Sequence, residues 1–248
     1  MDISSYVLLS HEQALRRRLD VVANNMANVS TVGFRREQPV FHEMLKRGED
    51  AMTRDARNVS FVLDFGAVHD TALGGFQATG NPLDVAIDGQ GYFAVALPDG
   101  GTGYTRAGQF KLLDTGQLVT SNGQPVRGDS GQPITVPPEM IGRVTIANDG
   151  SIMGPDGPLG RIAVTVFDNE AGVTPRGDGL MAAENGRVLA AGETKLRAGG
   201  LEGSNVQPIV ETTNMIQILR SYQTSQRMAD AINDMRKRAV ERLGRIGG

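Results

Sequence analysis

Apolar residues near the N-terminus fall at Leu8, Leu15, Leu19, Val22, Met26 and Val29, at spacings of seven, four, three, four and three. This is the rhythm of a helix with one apolar seam, and Glu12 occupies the one vacant slot. The helix is expected to begin near Ser4, or near Ser10 with Gln13 completing a capping box. It should stop around Asn28–Gly33, where glycine can take the left-handed conformation. A second seam runs through Met215, Ile218, Tyr222, Ser225, Ala229, Ile232, Ala239 and Leu243, broken by Arg236 and widened early by Ile216 and Leu219. Ser204 or Asn205 offers an N-cap, and Pro208 then falls in the first turn, where its missing N–H costs nothing. The pattern predicts one helix over 205–243, about 57 Å long at 1.5 Å per residue.

Between the two ends the period changes. The runs YFAVAL, QFKLL, QLVT, RVTIA and RIAVTVF are short, alternating or β-branched, and are separated by turn sequences such as PDGG, DTG, SNG, GDSG and NDG. Gly–Gln recurs at Gly89, Gly108, Gly116, Gly123 and Gly131, and from Gly108 on its spacing is eight, seven and eight, the rhythm of a meander or small barrel. The expected organisation is α+β. An N-terminal helical segment covers 1–34, and an extended connector over 35–75 carries a strand at Val59–Leu63. A β-rich domain spans 76–203, and a C-terminal helix over 204–248 completes the helical domain begun at the N-terminus. A single amphipathic helix is stabilised by burying its seam rather than by propensity. The terminal helices are therefore expected to pack in a coiled-coil-like domain, with the all-β domain inserted between them.

Composition supports this division. Glycine, at 32 of 248 residues, is about twice its usual share, as many tight turns require. The chain has no cysteine, which excludes a disulfide framework, a thiolate nucleophile and Cys-based zinc binding. No run approaches the roughly 20 apolar residues of a membrane-spanning helix. The opening MDISSYVLLSHEQALRRRLD has no basic region ahead of its apolar residues, so no cleaved secretory signal is expected. Residues 1–47 and 205–248 together carry fourteen basic and nine acidic side chains, and the middle carries eleven and nineteen. The basic residues alternate with acids at helical spacing, which suits solvated helix faces better than a nucleic-acid or lipid surface.

Catalytic chemistry finds little purchase. Asp84 and Asp88 flank a short strand in NPLDVAIDGQGYF and read as turn residues rather than an acid–base pair. The lone GxG at Gly89–Gly91 lacks a strand–helix context, and DGQG lacks the calcium-loop pattern. His11, His42 and His69 have no metal-ligand spacing. No catalytic residue, cofactor or metal site is expected.

The segments DVVANNMANVSTVGFRREQPVF, ATGNPLDVAIDGQGYFAV, YTRAGQF, DTGQLVTSNGQPV and LEGSNVQPIVE occur in this order over nearly the whole chain. Together they resemble the signatures of the bacterial flagellar rod and hook proteins. Length and the opening MDISSYVLLS are most like the proximal-rod type, with a distal-rod or hook-type protein as the alternative. The resemblance implies an axial component of the basal-body rod, exported without a cleaved signal by the flagellar type III apparatus and assembled in the periplasm. It also implies terminal helices packed as the inner tube of the rod, with the β domain outside. Its partners would be proximal- and distal-rod subunits and further copies of itself, with no nucleic acid and no small-molecule substrate. A rod-associated enzyme cutting the cell wall with two carboxylates is the alternative of a different class.

The resemblance places ANNMANVSTVGF at the end of an inner helix and its turn towards the β domain. Leu15, Leu19, Val22, Met26, Met215, Ile218, Tyr222, Ala229 and Ile232 are the expected assembly positions on the two seams. Asn24, Asn25 and Asn28 are expected to bond to backbone of neighbouring subunits, while Gly33 permits the turn and Phe34 anchors it. The local alternative has Asn28 and Ser30 capping the chain and Phe34 filling a core slot.

Overall fold

A computed structural model describes residues 3–46, 59–168, 172–177 and 179–246. The fold is α+β, with helices at the two ends and strands between them. It divides into two compact units. The first comprises Met1–Ala27, Glu37–Asp70 and Gln207–Gly248, and the second comprises Asn28–Arg36 and Thr71–Val206.

In the first unit, helix α1 spans Ile3–Ala27 and helix α2 spans Pro208–Ile246. Leu15, Val22 and Ile218 form one buried cluster, with Leu19 and Met215 packed against it, so the seam spacing brings the two helices together. α1 starts earlier than a Ser10 cap would allow, and the Ser10 hydroxyl instead donates to the Val7 carbonyl inside the helix (3.0 Å). α2 opens on Pro208, whose fixed φ suits a first helical position. Asn205 lies three residues before it, and its side chain bonds the Arg36 N–H and the Ala72 carbonyl. The side chains of Ala239 and Leu243 lie outside the described residues.

In its described residues the connector is more regular than its sequence pattern suggests. It forms an antiparallel ribbon of β1, Glu37–Lys46, and β2, Val59–His69. The register slips between Pro39 and Phe41. A proline cannot donate to a ladder, and a bulge is where a strand tolerates one.

In the second unit a six-stranded sheet runs in the order Thr174–Gly177, Leu180–Ala182, Thr102–Thr105, Tyr92–Ala96, Val164–Val166 and Arg187–Val188. Hairpin Phe110–Leu112/Leu118–Thr120 and the pairs Val85–Ile87/Leu196–Ala198 and Phe76–Ala78/Gly200–Glu202 complete the unit, together with a three-stranded sheet over 145–161. The core gathers Val85, Phe93, Phe110, Leu118, Val126, Ile134, Val136, Ile152, Ile162 and Val164. From Gly116 on, the Gly–Gln rhythm has a direct cause. Gly116, Gly123 and Gly131 have φ of 80°, 88° and 77°. Their N–H groups donate to Leu113, Thr120 and Gly128, three residues back. Each closes a tight turn in a backbone region that favours glycine.

Candidate functional site

Two features stand out, one in each unit. The first is the helix seam. Leu15, Val22 and Ile218 are buried, whereas Leu19, Met26, Met215, Ala229 and Ile232 are half-buried and Tyr222 is 37% exposed. Of these, Leu15, Leu19, Val22, Met215 and Ile218 form the cluster where the two helices meet. A different row on α2, Ile209, Ile216 and Leu219, is exposed. At about 100° per residue Ile209 and Ile216 lie on the side of the helix away from Ile218, and Leu219 on its flank.

The asparagines separate. Asn24 is exposed, Asn28 half-buried and Asn25 only 1% exposed. The Asn25 amide is fully engaged within the chain: Nδ2 donates to the Glu37 carbonyl (2.9 Å), and Oδ1 accepts from the Glu37 N–H (2.8 Å). It thus supplies β1 with the pair of bonds that a neighbouring strand would supply. Replacing Asn25 by alanine leaves both groups without this partner, and should cost about 1–3 kcal/mol. The denaturation midpoint of the full chain checks this, and an unchanged midpoint would mean these bonds do not form in solution. Asn28 accepts from Thr31 at both its carbonyl and its side-chain oxygen (3.1 Å each), which turns the chain after α1.

The second feature is a buried charged node that sequence reasoning did not single out. Arg35, Arg106 and Glu202 are 2%, 2% and 4% exposed. Arg106 Nη1 meets Glu202 Oε2 at 3.2 Å, and its Nη2 donates to the Gly89 carbonyl at 2.7 Å. The Arg35 guanidinium stands 4.0 Å from the other carboxylate oxygen, which also accepts the Gly74 N–H (3.1 Å). The guanidinium carbons of Arg106 and Arg35 lie 5.4 and 6.0 Å from the Tyr92 ring centre, within cation–π range. Gly33, with φ of 67°, brings its Cα against this node. A side chain there would meet the Arg106 carbonyl carbon at 2.5 Å, so the glycine is required for close approach as well as for the turn. Phe34 is half-buried beside it in sequence, and its carbonyl accepts the Asn205 N–H (3.3 Å). The available signal was the placing of charged residues inside otherwise apolar or glycine-rich motifs, GFRR, YTRAG and LEGSN.

Buried Asp84 accepts from the Thr79 hydroxyl (2.7 Å) and Asn81 Nδ2 (2.9 Å), which closes the NPLD turn. Among the described residues, the carboxylates of Asp99, Asp149 and Glu193 are held below the usual range. The main causes are the Gly101 N–H for Asp99, the Ser151 N–H for Asp149 and the Arg187 side chain for Glu193. A general acid needs the opposite displacement. Among the described residues no group of His, Asp or Glu could hold a metal ion, and no helix is long and apolar enough to cross a membrane.

Comparison with known proteins adds three family matches. Residues 6–35 match the flagella basal body rod protein family, residues 86–154 the flagellar hook protein FlgE/F/G D1 domain, and residues 197–242 the flagellar basal body rod FlgEFG protein C-terminal family. The chain is 38% identical to the flagellar basal-body rod protein FlgF of Caulobacter vibrioides, over 99% of this chain and all of the relative. It is 34% identical to FlgF of Salmonella typhimurium over 98% of this chain and 99% of that protein. It is 32% identical to the rod protein FlgG of Bacillus subtilis over 96% and 97%.

Proposed function

Because the chain belongs to the flagellar basal-body rod protein family, as a structural component and not an enzyme, we propose that it is a proximal-rod subunit. Its terminal helices build the torque-transmitting shaft. The observation that carries this reading is the seam: Leu15 and Val22 of α1 are buried against Ile218 of α2, while Ile209, Ile216 and Leu219 remain exposed on the same helix. One face serves the chain's own coiled-coil-like helical domain, in which the β domain is an insertion. The other is available to further copies and to other rod subunits. A shaft of close-packed helices resists compression and transmits strain. In this reading Leu15, Leu19, Val22, Met26, Met215, Ile218, Tyr222, Ala229 and Ile232 hold the helix pair and its assembly, and the exposed Asn24 meets a neighbouring subunit. The subunit reaches the periplasm through the flagellar export apparatus, and takes its place in the basal body there.

The proximal position is favoured by the 38% identity to a FlgF relative that the chain covers from end to end. The test is deletion of the gene in its motile host, followed by electron microscopy of isolated basal bodies. The expected result is non-motile cells whose rods stop short near the inner-membrane ring and carry no hook. Rods that stop further out would assign a distal position, and complete basal bodies on swimming cells would overturn the rod assignment.

A further inference from the structure

The segments through which the chain leaves and re-enters the second unit are 28–36, 71–76 and 201–206. All of them are tied to the same few side chains. The Gly33 N–H donates to the Glu202 carbonyl (2.8 Å), and the Arg36 N–H donates to Asn205 Oδ1 (2.6 Å). Asn205 Nδ2 reaches across to the Ala72 carbonyl (2.8 Å), and the Gly203 N–H to the Gly75 carbonyl (2.8 Å). At the centre the Glu202 carboxylate binds Arg106, faces Arg35 and accepts the Gly74 N–H. One side chain therefore touches the entry segment, the connector's return and the exit segment.

A buried ion pair is weak evidence of stability by itself. Removing one partner, however, leaves a buried charge uncompensated, and such groups are better attested as devices that specify one arrangement. Here two guanidiniums share one carboxylate, so losing Glu202 leaves both without it.

We propose that the Arg35–Glu202–Arg106 node is a latch that keeps the chain's exits paired inside the β body whether or not the terminal helices have formed. α1 ends at Ala27 and α2 begins at Pro208, about 180 residues later in sequence. Pairing two helices over that separation carries a loop-closure cost that falls on whatever first brings the ends together. With the latch shut, the cost is met during folding of the β body, and the helices meet at a high effective concentration. Glu202 is thus a positioning residue for assembly, acting through the backbone of 33–36. The latch is a property of the isolated protein, so a deletion strain that swims would sink the rod assignment and leave the latch standing.

The test is backbone amide hydrogen exchange on full-length protein, comparing Glu202→Gln with Leu118→Ala, a core truncation that leaves the node intact. In Glu202→Gln, exchange at Gly33, Arg36, Gly74 and Asn205 should rise at least about tenfold while Val126 and Ile134 keep their protection. In Leu118→Ala, Val126 and Ile134 should loosen as well. Should Glu202→Gln fail to fold, Arg35→Met keeps the Arg106–Glu202 pair and is read at the same amides. The absence of cysteine allows a second readout. A Leu15→Cys/Ile218→Cys pair placed in the helix cluster should close its disulfide several-fold more slowly during refolding when combined with the node variant. Equal loosening of all amides, unchanged protection at Gly33 and Asn205, or an unchanged disulfide rate would each overturn the latch.

Discussion

Replacing Phe93 with alanine is expected to remove about 3–5 kcal/mol from the stability of the β body. Phe93 is fully buried, and its ring stands edge-on to Phe110 at 5.1 Å between centroids and 80° between planes. Truncation loses the transfer free energy of the ring and the edge-to-face contact, and leaves a cavity among Val85, Phe110, Leu118, Val164 and their neighbours. Apart from Phe110 the named neighbours are valine or leucine side chains on paired strands, which have little freedom to swing in and fill the space. A domain of ordinary stability holds only about 5–15 kcal/mol, so the variant should approach the unfolding threshold at physiological temperature. Equilibrium urea unfolding, followed by the β signal in circular dichroism, measures it. Phe93→Leu, which keeps most of the volume, should lose less than half as much. Equal losses for the two variants would mean that the site collapses freely and is not tightly packed.

How much of this was readable in the sequence follows from how local each feature is. The helix seams were readable because their period is set within seven residues, and Leu15, Val22 and Ile218 meet as the spacing requires. The glycine rhythm was readable because each turn is closed by a bond over three residues. The ribbon was half visible: Val59–Leu63 carries a strand pattern, but its partner contains Pro39, which counts against a strand unless a bulge accommodates it. Asn205 looked like a cap because caps are local, yet its side chain reaches Arg36 and Ala72, more than 130 positions away in sequence. The node was the least readable. Arg and Glu are almost always exposed unless paired, and the partners here are separated by 96 positions or more. Only the folded chain shows which charges share a carboxylate. The asparagine cluster divides on the same ground: Asn25 is bound to a backbone twelve residues away in its own chain.

An aspartate in place of Ile218 should have the other large effect, and a different one. Ile218 is 3% exposed and sits in the cluster with Leu15 and Val22. The substitution removes an apolar side chain from the seam and introduces a carboxylate that must be desolvated there or force the helices apart. Most of a helix's stability in a protein comes from packing its apolar face, so opening this seam should loosen α1 as well as separate it from α2. The expected result is loss of a large part of the helical signal in circular dichroism, with exchange protection at Val126 and Ile134 retained. The same allele should fail to restore motility to a deletion strain. Arg220→Asp, an exposed position two residues along the same helix, should change stability by no more than about 0.5 kcal/mol. That contrast matters because both variants add a carboxylate to α2 and differ in the face on which it lands. If both abolish motility while the helical signal survives, the two helices are held by something other than this seam, and the outer face of α2 carries the function. If Ile218→Asp alone unwinds the helices and stops motility, their pairing is the step on which building the shaft depends.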